Sequence, residues 1–159
     1  MLAYKLMGAA LIALSGGLCA YRLNKRASDA YCRTAALCRL LTYVKNEIEC
    51  FALPISQILS RTDRELLLAC GHVGKNAPQS LSELCGSIRW ADRETRELME
   101  RFCSEFGRCY KDEQVQRCAY FLSELDERKR ALEKELPSRK KLNSTLCLSG
   151  SLALLIFFL

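Results

Sequence analysis

Apolar positions fall in three regimes along the chain. Both ends are nearly unbroken apolar runs, and the middle repeats apolar residues at alternating spacings of three and four. Leu6 to Tyr21 is 16 uncharged residues; letting Lys5 and Arg22 snorkel extends it over 2–23, which is 22. As a helix that reaches roughly 33 Å, enough to cross a hydrocarbon core. Residues 142–159 are 18 uncharged residues, roughly 27 Å of helix and just sufficient. Between the runs, Ala30, Thr34, Leu37, Leu41, Val44, Ile48 and Phe51 form one helical seam. No Gly or Pro separates the seam from the first run, which predicts one long helix to about Phe51. Pro54 breaks it, and Ile55, Ile58 and Leu59 predict a short helix behind the break. Thr62 and Glu65 have capping-box spacing before Leu66–Leu68, and Gly71 closes that turn. Gly71 to Pro78 is the most loop-like stretch. Ser80 and Glu83 repeat the capping box before a short helix through Ile88 and Trp90. A polar helix follows, with Leu98, Phe102 and Phe106 expected inward and Gly107 at its end. Its outer face carries Arg93/Glu97, Arg96/Glu100, Glu97/Arg101 and Arg101/Glu105 at i, i+4. The last helix starts near Asp112 and follows Val115, Cys118, Leu122, Leu125, Lys129, Leu132 and Leu136, a seam broken only by Lys129. Pro137 should kink or end it. No strand pattern competes. The pattern predicts an all-α protein: an antiparallel helical bundle over 24–138, between an N-terminal transmembrane helix at 2–23 and a C-terminal one at 142–159.

Charge supports the membrane reading. The 159 residues carry 24 Lys and Arg against 18 Asp and Glu, a net +6. Seven of those basic residues (Lys5, Arg22, Lys25, Arg26, Arg139, Lys140 and Lys141) sit beside the apolar ends. The other 17, with all 18 acids, lie between Ala27 and Ser138, so the middle sums to −1. A nucleic-acid binder carries its basic excess on the folded part, so nucleic acid is not an expected partner. Both basic clusters lie on the middle-facing side of their runs, and the positive-inside tendency then puts the middle in the cytoplasm and both termini across the membrane. A cleaved signal peptide is the competing reading of the first run, but Arg22, Lys25 and Arg26 follow it at once and resist export. Ala9, Ala13 and Gly17, and Thr145, Ser149 and Ala153, form two small-residue stripes through which the spans would pair.

Chemistry is sparse. The ten cysteines show no CxxC spacing, so zinc-ribbon and thioredoxin readings fail. In a cytoplasmic bundle they are expected as buried, reduced thiols. His72 is the only histidine and is expected as a polar loop residue. Neither GxxxxGK[ST] nor GxGxxG occurs. The expectation is no catalytic residue, no metal, no cofactor and no small-molecule substrate.

The layout and certain residues resemble the stage III sporulation protein AB family of endospore-forming bacteria. The resemblance begins with MLAYKLMGAALIAL and the helix end LTYVKNEIECFALPISQIL, including Glu47-Ile48 and Leu53-Pro54-Ile55. The family's Phe-Gly-x-x-Leu-Gly…Asp…Gln motif corresponds to Phe102, Phe106-Gly107 and Gln114, with Cys103 where Gly is usual and Tyr110 where Asp is usual. KKLNSTLCLSGSLALLIFF resembles the family's closing membrane helix. The resemblance implies a two-pass protein of the mother-cell side, in the outer forespore membrane. There it would be a scaffold of the secretion-like channel complex linking mother cell and forespore. Its soluble part would be similar in fold to the cytoplasmic domain of the type II secretion platform protein. Implied partners are the lipid bilayer, the secretion-type ATPase of the complex, other small sporulation membrane proteins and further copies of the chain. Arg108, Lys111 and Gln114 are the candidate partner-binding residues, beside structural turns at Pro54, Gly71 and Gly107. Two other readings stand beside it: a membrane-anchored thiol or metal-binding sensor, and a platform subunit of another secretion system.

Overall fold

The structure is a computed structural model that describes residues 2–106 and 110–158. Among the described residues the chain forms six helices: α1 (Leu2–Phe51), α2 (Ile55–Arg61), α3 (Arg64–Ala69), α4 (Leu81–Ser87), α5 (Arg93–Glu105) and α6 (Lys111–Phe158). The one extended contact among them is an antiparallel bridge between His72 and Ile88. The fold is all-α, as the periodicity requires. Contacts divide the chain into two compact units, Ala30–Leu132 and the pair of ends Met1–Asp29 with Glu133–Leu159.

The first unit is a helical bundle whose core follows the seams. Thr34, Leu37, Leu41, Val44 and Ile48 of α1 are all at most 3% exposed, whereas Phe51, expected in the same seam, is 68% exposed. Ala36 and Leu40 widen the buried face. From α2 come Ile58 and Leu59, both fully buried. On α5 the buried face is Thr95, Met99 and Phe102, while Leu98 and Phe106 lie half-buried at its margin. Phe102 packs on Phe121 of α6 at 5.3 Å and 62°, an edge-on pairing, and on Phe106 at 5.0 Å. Cys118, Phe121, Leu125 and Leu132 complete the α6 face.

The element ends have local causes. Ala52 takes a left-handed φ of 51° and Pro54 begins α2, so α1 stops where the chain can no longer continue it. The cap of α3 is Asp63, whose carboxylate accepts from the Glu65 N–H at 3.1 Å. The Thr62 hydroxyl, which the capping-box spacing nominated, instead donates to the Ile58 carbonyl at 3.0 Å and finishes α2. Gly71 ends α3 at φ 94°, with its N–H on Leu68 O (2.9 Å) and the His72 N–H on Leu67 O (3.0 Å), a Schellman closure. Ser80 caps α4 as expected, accepting from the Glu83 N–H at 3.1 Å; Glu83 reaches back to the Gln79 N–H at 2.7 Å. On α5, Arg93–Glu97 and Arg96–Glu100 form the expected surface pairs, each at 2.7 Å.

The second unit pairs the two chain ends. Among the described residues of 8–24, the half-buried positions on α1 are Gly8, Ile12, Gly16, Ala20 and Asn24, an i+4 row; on α6 they include Asn143, Ser144, Cys147 and Ser151. A Cβ built on Gly16 would meet Ser151 Cβ at 3.0 Å and the Cys147 carbonyl at 3.3 Å, so the helices approach closely there. This corrects the expected stripe: Gly17 meets nothing within 4 Å, and Thr145, Ser149 and Ala153 are exposed. The Asn143 amide donates to Asn24 Oδ1 and the Asn24 amide to Ser144 Oγ, each at 3.2 Å. α6 runs through Pro137 rather than ending there. Among the described residues no helix is long and apolar enough to cross a membrane. Of the expected spans 2–23 and 142–159, the side chains of residues 2–7, 9, 10, 13, 155 and 157–159 lie outside that description.

Candidate functional site

The sequence nominated the turn between α5 and α6. Gly107 and Arg108 lie outside the described residues, as does Cys109. On the α6 side, Tyr110 is 90% exposed and Lys111 is exposed as the first residue of the helix. Gln114 is half-buried, and its backbone N–H closes the first turn on Tyr110 O at 3.0 Å. Arg117 braces the turn from below, at 3.2 Å from Glu105 at the end of α5 and 3.0 Å from Glu113 on its own helix. The end of α5 and the start of α6 are therefore tied together by ion pairs, while Tyr110 and Lys111 present an aromatic ring and a cation outward. The other nominated turns are structural: Pro54 opens α2 and Gly71 closes α3. Gly71 also lies against Arg33, which donates to the Arg89 carbonyl; a Cβ there would meet the Arg33 side chain at 3.3 Å.

A polar knot that the sequence reading did not nominate holds α1, α5 and α6 together. Asp92 caps α5, accepting from the Thr95 N–H at 2.9 Å and its hydroxyl at 2.8 Å. The same carboxylate takes a fork from Arg128 of α6, at 3.0 and 2.7 Å, with both side chains 13% exposed. Glu94 adds a second carboxylate to Arg128 at 2.7 Å. Thr34 of α1 places its hydroxyl 3.0 Å from that of Thr95. Burial alone would raise the Asp92 carboxyl, but Arg128 and the Thr95 donors outweigh it and hold it at about 2. The only sequence signal was Asp92 three residues before Thr95; nothing local pointed to Arg128, 36 residues away.

His72 is buried, not a solvated loop residue, at 7% exposure. Its Nε2–H donates to the Asn76 carbonyl at 3.1 Å, and Nδ1 faces the Ser87 hydroxyl at 2.6 Å. With both ring nitrogens engaged, the imidazole pins the Gly71–Pro78 loop to the end of α4. The cysteines divide. Cys38, Cys70, Cys85 and Cys118 are buried, but Cys19, Cys32 and Cys50 are exposed, so burial does not account for all of them. Burial pushes the Cys70 thiol up to about 12 and Cys118 up to about 11, which keeps both protonated. Cys85 of α4 and Cys103 of α5 bring their sulfurs to 2.7 Å. Lys129, which interrupts the α6 seam, pairs with Asp126 beside a groove of about 720 Å³ between α1 and α6, bordered by Tyr31, Arg39, Lys45 and Leu122. No cluster of three or more His, Cys, Asp or Glu among the described residues is placed to hold a metal ion.

Comparison with protein families gives a match to stage III sporulation protein AB over residues 5–159. It covers both apolar ends and the whole bundle. No curated protein and no solved structure matches the chain.

Proposed function

The chain belongs to the stage III sporulation protein AB family, and from that premise we propose that it is a membrane-anchored, non-catalytic platform of the sporulation channel complex. In this reading both ends cross the membrane, the bundle lies in the cytoplasm of the mother cell, and the bundle docks the secretion-type ATPase of the complex. The other small membrane proteins of the complex and further copies of the chain are its lateral partners.

One observation carries the anchoring. Eleven of the large apolar side chains exposed on the molecule belong to the paired ends: Leu11, Leu14, Leu18, Tyr21 and Leu23 on α1, and Leu142, Leu146, Leu148, Leu152, Leu154 and Ile156 on α6. Gly16, Asn24, Asn143, Ser144 and Ser151 lie between the two helices instead. A helix pair with small and polar residues inside and leucines outside is the reverse of a water-soluble pair, and it suits a lipid surround. The basic clusters then favour a cytoplasmic bundle.

Docking is assigned to the α5–α6 turn, where Tyr110 and Lys111 are exposed and Arg108 is adjacent in sequence. A basic, aromatic tip suits an acidic face of a partner. Reversing both charges (Arg108→Glu with Lys111→Glu) in the full-length protein should cut co-purification of the ATPase at least tenfold, with helical circular dichroism unchanged. Undiminished recovery removes this turn as the docking surface. The same variant should lower spore yield in cells lacking the native gene.

A further inference from the structure

We propose that Cys85 and Cys103 form a reversible dithiol–disulfide pair that covalently ties α4 to α5 under oxidising conditions. The inference goes beyond the platform role and stands independently of it.

The two thiols come from different helices, 18 residues apart in sequence. Their sulfurs are 2.7 Å apart, inside the contact distance of two non-bonded sulfurs, so bond formation needs little movement of either helix. The backbone around them is held. The Trp90 indole N–H donates to the Cys85 carbonyl at 3.2 Å, which fixes the connection between α4 and α5. The Cys103 thiol also lies 3.4 Å from the Leu81 carbonyl, one turn before Cys85. Cys70 and Cys118, by contrast, sit at 0% exposure in the apolar core.

Access is present too. Both cysteines line a cleft of about 490 Å³ that opens to solvent between Ser82, Gly86, Trp90 and Ser104. Gly86 at its rim would meet nothing within 4 Å if it carried a Cβ, which leaves room for a small oxidant. The two thiols are also unlike each other. The hydrogen bond from Cys103 lowers the Cys85 thiol below its ordinary value, while the same bond and burial raise Cys103. One thiol attacks the oxidant as its thiolate, and the other resolves the mixed disulfide.

The oxidant is a low-molecular-weight disulfide, RSSR. The thiolate of one cysteine attacks one of its sulfurs, forming a mixed disulfide and releasing RS⁻, which takes up the proton that cysteine lost. The other cysteine then gives up its proton and attacks the protein sulfur of that mixed disulfide. The S–SR bond breaks, and the second RS⁻ leaves with that proton as RSH. The balance is two protein thiols and RSSR going to one protein disulfide and two RSH.

The test uses the full-length protein in detergent, incubated with oxidised glutathione, quenched in acid, alkylated and digested with trypsin. The expected product links the peptide of residues 76–89 to that of residues 102–108 as the dominant intramolecular disulfide. Exposed Cys32 and Cys50 carry glutathione in the same sample and report that the oxidant was active. Cys103→Ser and Cys85→Ser should each abolish that link and leave the remaining thiol of the pair free or as its glutathione adduct. A 76–89/102–108 link that is absent while Cys32 and Cys50 are modified overturns the proposal. So does a dominant link from Cys85 or Cys103 to a third cysteine such as Cys32 or Cys50.

Discussion

Asp92 links three helices of the bundle. It starts α5, receives Arg128 from α6 and, through Thr95, touches Thr34 of α1. Its carboxyl is held at about 2, below the ordinary 3.8, so its stabilising effect is complete above about pH 4 and is lost as pH falls through about 2. A shift of that size corresponds to roughly 2 kcal/mol. Thermal unfolding of the full-length protein between pH 5 and pH 2 should therefore show a fall of that order, and Asp92→Asn, which keeps a capping side chain, should flatten it. An unchanged slope in the variant assigns the acid sensitivity to other carboxylates. Lys129 teaches the complementary point. It breaks an apolar seam, yet it stays half-buried because Asp126, one turn earlier, supplies its counter-charge.

At the scale of the elements, the short connections depend on backbone geometry more than on burial. Gly71→Ala should destabilise the bundle by about 1–2 kcal/mol, because a φ of 94° disfavours a Cβ and Arg33 occupies the space it would need. Its thermal midpoint against that of Gly86→Ala, a helical glycine in open space, is the check; equal midpoints would refute the closure argument. Helix periodicity, the Pro54 break, the Gly71 stop and the Ser80 cap were legible because each depends on residues within one turn. The failures have physical causes as well. Thr62 and Asp63 both suit a cap, and the hydroxyl was already used by the end of α2. On α5 the expected Leu98, Phe102 and Phe106 do meet the core, but Thr95 and Met99 join them beside the Asp92–Arg128 pair, a contact no local spacing reveals. Phe51 closes the α1 seam by spacing but lies in its last turn, next to the left-handed Ala52, where it stays exposed. Cys85 and Cys103 meet only through folding, so spacing rules for paired cysteines passed them by.

For the molecule as a whole, the distribution of apolar surface is the feature that matters most. The core of the bundle is filled by Leu37, Ile58, Leu84, Phe102 and Leu125, all at most 1% exposed, whereas the paired ends turn their leucines outward. The proposed topology predicts that an impermeant thiol reagent applied to intact cells fails to label Cys85, and that a reporter joined after Leu159 behaves as non-cytoplasmic. Labelling of Cys85 from outside would reverse the orientation drawn from Arg22, Lys25, Arg26, Arg139, Lys140 and Lys141. The amide link between Asn24, Asn143 and Ser144 carries a further consequence. Apolar helices slide past one another with little energetic penalty, and a lone polar contact is what sets a preferred alignment. Slipping α6 by one turn, about 5.4 Å, would part all three side chains at once and leave their polar atoms without partners. Those residues act as a click-stop, giving two otherwise greasy rods a single phase relative to each other and discouraging either from trading places with a neighbouring copy.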